Sequence, residues 1–258
     1  MAAEMSPADR AKHAAARRAV EFVEDGMKLG LGTGSTAAFM VRAVAERVKA
    51  EGLRLTCVPT SKRTADLAEG LGLKVVSLDE ARWLDMTIDG ADEVDPDLAL
   101  IKGGGGAHLI EKIVATASDQ VVIIADAAKR VEALGAFPLP VEVIRFGWQT
   151  TQALVEEALV ALDVDDRTSS RRMNGGEPFL TDEGNFVIDL HLGRIGNPRQ
   201  LALVLNQVPG VVENGLFVDI CDRLVIGNAD GTDEVYEAPD GSPQLERGGA
   251  GFLAGSGA

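Results

Sequence analysis

A chain of 258 residues, 46% apolar and 25% charged, can bury one large core or two modest ones, and no stretch reaches the ~18 apolar residues of a membrane span. The net charge of −15 argues against a general nucleic-acid surface, which needs clustered Lys and Arg, but leaves room for one anionic metabolite held by a few local cations. Cys57 and Cys221 are the two thiols; they imply no disulfide framework, and with no apolar signal segment at the start a reducing cytoplasm is the expected setting.

Residues 7–24 read as an amphipathic helix, capped by Ser6, with Pro7 at its first position and Ala14, Ala15, Ala19, Phe22 and Val23 as its buried stripe. A strand at 27–31 runs into Gly30-Leu31-Gly32-Thr33-Gly34-Ser35-Thr36. A helix over 35–50 follows, with Ala37, Met40, Val41, Val44 and Val48 at helical spacing. Next come a strand at 53–58, a helix at 61–70, strands at 73–77 and 85–89, a helix at 107–118 and an apolar strand at 121–125. This alternation predicts an α/β fold with a mostly parallel sheet covered on both faces.

After residue 136 the pattern changes. A strand at 141–146, a helix at 149–162, strands at 168–173 and 185–192, a helix at 198–207 and a strand at 211–218 give the order β-α-β-β-α-β. That order predicts a smaller ferredoxin-like α+β domain over 137–218; the alternative is an extension of the first sheet. A hairpin at 223–237, turning at Asn228-Ala229-Asp230-Gly231, is expected to return to the first domain, which then comprises 1–136 and 219–237. Residues 238–258, rich in Gly, Ala, Pro and Ser, read as a flexible C-terminal tail.

Three stretches carry chemistry. The turn at 30–36 places exposed N–H groups, a helix N-terminus and the hydroxyls of Thr33, Ser35 and Thr36 where an anion can sit; the structural alternative is a tight strand–helix turn capped by Ser35. A dinucleotide fingerprint would need glycine at 35 and an acid ending the second strand, where Pro59-Thr60-Ser61-Lys62 stands. Asp89 ends a strand and Asp92 follows three positions later, where ligands bind on open α/β sheets. These carboxylates suit sugar hydroxyls, a metal or a solvated loop, although Ala91 and Val94 break the calcium-loop spacing. Glu93, Asp95 and Asp97 read as surface charge.

Lys102-Gly103-Gly104-Gly105-Gly106 is the third. Four glycines carry a large conformational entropy, so close backbone approach or positive φ is expected there rather than a linker. In the helix that follows, Ile110, Ile113, Val114 and Ala117 form the expected apolar face, with Glu111 at its edge. There Glu111 is either a half-buried general base or an ordinary exposed glutamate.

These motifs together resemble ribose-5-phosphate isomerase, type A. The matching stretches are 30–37, Asp89-Gly90-Ala91-Asp92-Glu93, Lys102–Gly105, Glu111-Lys112-Ile113, Ala125-Asp126-Ala127-Ala128-Lys129 and 137–143, in order along residues 7–237. The resemblance implies a Rossmann-like catalytic domain under a ferredoxin-like covering domain. It implies interconversion of ribose 5-phosphate and ribulose 5-phosphate without a cofactor or metal, in a homodimer or homotetramer. By position, Glu111 is the implied general base, Lys102 the cation facing the enediolate, and Asp89 and Asp92 the groups that hold sugar hydroxyls and assist ring opening. Thr33, Gly34, Ser35, Thr36 and Lys129 form the implied substrate- and phosphate-holding set, with Gly90, Ala91, Gly103, Gly104 and Gly105 contributing to substrate binding and Lys12 near the phosphate. His108 is expected to be only a helix N-terminal residue.

Overall fold

The computed structural model describes residues 5–238; of the expected tail, 239–258 lie outside the described residues. In chain order the first elements are α1 (Pro7–Val20), β1 (Lys28–Leu31), α2 (Ser35–Glu51), β2 (Thr56–Pro59), α3 (Lys62–Gly70), α4 (Leu78–Ala81) and β3 (Leu84–Gly90). Then follow β4 (Glu93–Val94), β5 (Leu100–Ile101), α5 (His108–Thr116), β6 (Ser118–Asp126) and a 3-10 turn, Ala127–Lys129. The remainder is β7 (Leu139–Val143), α6 (Trp148–Leu159), β8 (Thr168–Arg171), β9 (Met173–Asn174), β10 (Glu177–Pro178), β11 (Phe186–His191), α7 (Pro198–Leu205), β12 (Val211–Asn214), β13 (Leu216–Phe217), β14 (Arg223–Gly227) and β15 (Asp233–Glu237).

Among the described residues the chain forms two compact units, 5–90 with Ile110–Ala128 and 219–238, and Ala91–Leu109 with Lys129–Val218. Residues 91–109 and 129–136, expected in the first domain, therefore belong to the second. The reason is a small sheet, β13-β5-β4, whose two-residue strands are too short to show any periodicity.

In the first unit the sheet order is β15-β14-β6-β3-β1-β2. Every pairing is parallel except β14 with β15, so the hairpin joins this sheet as expected. Strand β1 lies between β2 and β3, and the chain leaves it first to one side and then to the other. The carboxyl ends of β1 and β3 thus frame a topological switch point, where open α/β sheets take ligands. Ser6 caps α1 by accepting from the Asp9 N–H at 3.1 Å. The helix stops at Val20 rather than 24, because the N–H groups of residues 21–23 turn to carbonyls three positions back, a 3-10 tightening common at helix ends. Leu29, Leu31, Met40, Val41, Val44, Ile88 and Ile124 are fully buried in this core. The strand expected at 73–77 reduces to one bridge between Cys57 and Val75.

In the second unit the antiparallel sheet runs β12-β7-β11-β8. Numbering the four strands by chain position gives 4-1-3-2, the ferredoxin-like arrangement, and it is a separate sheet rather than an extension of the first. The core joins Leu139, Val141 and Val143 of β7 to Val155 and Leu159 of α6 and Leu201 and Leu205 of α7. The strand expected at 211–218 breaks at Gly215, whose position has no room for a Cβ: it would lie 2.3 Å from the Lys102 carbonyl oxygen. Beyond the break, β13 turns to pair with β5.

On the other side of β7, Glu142 is fully buried and accepts from Thr181 Oγ1 and Asn185 Nδ2, each at 2.9 Å. Burial outweighs those bonds and raises its pKa above the ordinary 4.5. In the window between that value and the raised one the folded chain binds more protons than the unfolded chain, so this group's contribution to stability falls as pH rises. Glu142→Gln keeps an acceptor and removes the titration. Its melting temperature at pH 8 should exceed the parent's by ~2–4 °C, about 1 kcal/mol for a chain of this size, with the gain shrinking toward pH 4; a lower melting temperature at pH 8 would contradict the assignment.

Candidate active site

In the first unit, β1 enters the glycine turn and α2 leaves it. A Cβ on Gly32 would sit 2.0 Å from Asp89 Oδ1 and 2.5 Å from Asp89 Cα, so only glycine lets the turn lie against the end of β3. Asp89, 2% exposed, accepts from the Thr33 N–H at 3.0 Å and from the Gly90 N–H at 2.7 Å through Oδ1. The carboxylate and the turn are therefore one rigid piece. Gly34, the residue before α2, takes φ of +117° and gives the helix no side-chain cap. The first N–H groups of α2 have no acceptor within the helix, and Ser35 is exposed beside them. Ser35 is thus not the cap.

The Thr33 hydroxyl is turned toward the residues that open α3. It donates to Ser61 Oγ at 2.8 Å and lies 2.7 Å from Thr60 Oγ1 and 3.2 Å from Thr64 Oγ1. Thr60 and Thr64 in turn donate to the carbonyls of Leu31 and Gly32 at 3.1 Å. The hydroxyls at the start of α3 thus pin the turn from beneath, a set the sequence did not suggest. Lys12 lies half-buried on α1, with no hydrogen bond from its ammonium to a described residue.

Helix α5 corrects the expected apolar face. Ile113 is 46% exposed, whereas His108 is 0%, Glu111 4%, Val114 1% and Ala115 4% exposed. The buried stripe follows i, i+3, i+6 and i+7, and two of its four members are polar. Glu111 is at the centre of the stripe rather than at its edge, so the exposed alternative falls.

In the second unit, Lys102 follows β5 and is 3% exposed, with Nζ 5.3 Å from the centre of the Phe217 ring. Its N–H donates to the Gly215 carbonyl at 2.9 Å. Gly103 has φ of +102°, and a Cβ there would meet His108 Nδ1 at 2.8 Å, so both conformation and space require glycine. Asp92 Oδ2 accepts from the Gly104 N–H at 2.7 Å, and Gly104 and Gly105 are exposed. Ala91 is half-buried, as is Lys129, whose Nζ lies 5.8 Å from the Phe137 ring centre.

Glu93, expected at the surface, is 4% exposed and accepts from the N–H groups of Gly135 and Phe137 at 2.7 and 2.6 Å. Asp95 is half-buried, accepting from the Asp97 and Ala99 N–H groups, and burial raises its pKa. Only Asp97 is exposed as expected. Burial pushes the Cys57 thiol up to about 12, which keeps it protonated and inert at neutral pH.

The model for the family ribose 5-phosphate isomerase A (phosphoriboisomerase A) matches residues 56–231. A ribose-5-phosphate isomerase A of Ruegeria sp. (strain TM1040) is 66% identical over 96% of this chain and 94% of its own. One from Jannaschia sp. (strain CCS1) is 67% identical over the same shares. Among solved structures, ribose 5-phosphate isomerase A of Neisseria gonorrhoeae superposes with a TM-score of 0.80 at 39% identity, covering 92% of this chain and all of that one. The Methanocaldococcus jannaschii protein gives 0.81 at 36%, covering 89% and 98%. Fold and relatives define a two-unit α/β sugar-phosphate isomerase. The chain belongs to the ribose-5-phosphate isomerase A family.

Proposed function

We propose that this isomerase interconverts ribose 5-phosphate and ribulose 5-phosphate by proton transfer through an enediolate, with Glu111 as the base. The observation that carries the assignment is a carboxylate only 4% exposed on the helix that follows the glycine run, in a chain of this family. Glu111 takes the C2 proton of the open-chain aldose, and the electron pair left on C2 forms the C1=C2 double bond while charge collects on O1. A proton passes from O2 to O1, and Glu111 returns its proton to C1, leaving the ketone at C2. Lys102 is the cation for the developing oxyanion. Asp89 and Asp92 hold hydroxyls and assist ring opening.

Phosphate binding falls to Gly34, Ser35 and Thr36 at the uncapped start of α2, with Lys129 and Lys12 supplying charge. Thr33 serves this set by fixing the turn, with its N–H on Asp89 and its hydroxyl on Ser61 at the start of α3. Gly90, Ala91 and Gly103–Gly105 complete the sugar contacts. Binding energy from the phosphate end is thereby used to orient the reacting end. No metal or cofactor takes part in this scheme. Two buried thiols suit a reducing cytoplasm, and among the described residues no helix is long and apolar enough to cross a membrane. Phe146, 89% exposed, and Leu203, 64% exposed, suit a homodimer or homotetramer, measurable by sedimentation.

The reaction is tested in D2O, with and without chelator. Proton transfer predicts solvent deuterium at C1 of the ketose and chelator-independent turnover. A product carrying only the substrate's own hydrogen at C1 would point to a shielded or hydride transfer, and absence of ketose would refute the isomerase reading.

A further inference from the structure

The glycine run is held by an arginine that no motif marks. Arg172, just beyond β8, forms a two-pronged ion pair with Asp189 of β11, Nε to Oδ2 at 2.9 Å and Nη2 to Oδ1 at 2.5 Å. The two side chains are only 14% and 16% exposed. The third nitrogen, Nη1, donates to the carbonyl oxygens of Gly103 at 2.9 Å and Gly104 at 3.2 Å. The guanidinium also lies 5.6 Å from the Phe179 ring centre. A planar fork fixed on one edge by a carboxylate has little freedom left, so its other edge is a rigid template for two peptide oxygens.

Peptide geometry turns that template into a direction. In a planar trans unit the C=O and the N–H point opposite ways. The Gly103 carbonyl faces Arg172, and the N–H of the same unit, on Gly104, points away to Asp92 Oδ2 at 2.7 Å. The Gly104 carbonyl faces Arg172 as well, so the Gly105 N–H is directed to the side where Asp92 lies. Glycines 104 and 105 are exposed, and successive N–H groups directed to one side are a recurring anion-binding device.

We propose that Arg172, held by Asp189, is a positioning residue that locks the 103–105 turn with the Gly105 N–H presented beside Asp92 to an oxygen of the bound sugar. This rests on the isomerase reading above and deepens it. Four glycines would otherwise sample many conformations. With the turn loosened, the reacting atoms are misplaced while the contacts of Gly34, Ser35 and Thr36 are untouched.

The test compares full-length Arg172→Ala, Arg172→Lys and Asp189→Asn with the parent, measuring kcat, KM and thermal melting. Arg172→Ala should lose roughly 10²-fold in kcat with KM for ribose 5-phosphate nearly unchanged. Lysine should recover little, because an ammonium cannot bridge the carboxylate and both carbonyls. Guanidinium chloride at a sub-denaturing millimolar level should restore part of the Arg172→Ala rate, where sodium chloride at equal ionic strength does not. Unchanged kcat, or a loss that guanidinium does not reverse, overturns the proposal. If Arg172→Ala does not fold, Asp189→Asn decides: a kcat-specific loss supports positioning, and parental kcat refutes it. A parent chain that forms no ketose would refute the isomerase reading instead.

Discussion

Glu111→Gln should lower kcat by roughly 10³-fold, within the ~10²–10⁴-fold range of general acid–base catalysis, and leave KM for ribose 5-phosphate within a few-fold of the parent. The substitution preserves shape at a site 4% exposed, so the fold and the phosphate contacts survive. The amide cannot accept the C2 proton, and that interaction is made only in the transition state. Loss of kcat and kcat/KM together is the signature of such an interaction. Deuterium wash-in from solvent should fall in proportion. The experiment is a coupled assay for the ketose at saturating and limiting substrate. A variant within tenfold of parental kcat would remove Glu111 from the role of base and turn attention to Asp89.

Gln is also informative because the surroundings of Glu111 differ from those expected. The apolar residues of α5 suggested a face through Ile110, Ile113 and Val114, which put Glu111 at the margin. The helix instead turns His108, Glu111, Val114 and Ala115 inward and leaves Ile113 46% exposed. Hydropathy patterning assumes that the buried face is apolar. A helix that buries His108 and Glu111 breaks that assumption, and such local breaks are expected at functional positions.

What was legible from the sequence is local. The turn at 30–36, its neighbouring strand and helix, and Asp89 at a strand end follow from glycine punctuation and from periodicity within a few residues. The βαββαβ order of the second unit follows in the same way. What was not legible depends on partners far along the chain. Glu93 looked like surface charge because the N–H groups it binds lie 42 and 44 positions away. Arg172 lies 69 and 68 positions from the carbonyls it holds. The domain boundary was misplaced for a related reason: β4, β5 and β13 are two-residue strands whose existence depends on pairing alone. Likewise, nothing in Thr60-Ser61-Lys62-Arg63-Thr64 announces that its hydroxyls meet Thr33.

Lys102→Met separates the catalytic use of a buried cation from its structural consequence. Methionine matches the length of the lysine stem and can keep its packing toward Phe217, 5.3 Å from the ammonium. A lysine only 3% exposed interacts with its surroundings, and removing one charge from a buried set costs stability by leaving its neighbours uncompensated. The melting temperature should therefore fall by a few degrees. Turnover at a temperature where the variant stays folded should fall far more than that loss of stability explains, because the enediolate oxygen loses a preorganised positive charge worth about 3–4 kcal/mol at comparable oxyanion sites, or roughly 10²–10³-fold in kcat. KM should change little, since the charge develops after binding. The two effects separate when both are measured on one preparation by calorimetry and the coupled assay. A variant that melts early and loses activity in proportion would make Lys102 a structural residue. One that keeps parental kcat would require another group, with the Gly105 N–H the first candidate, to carry the oxyanion alone.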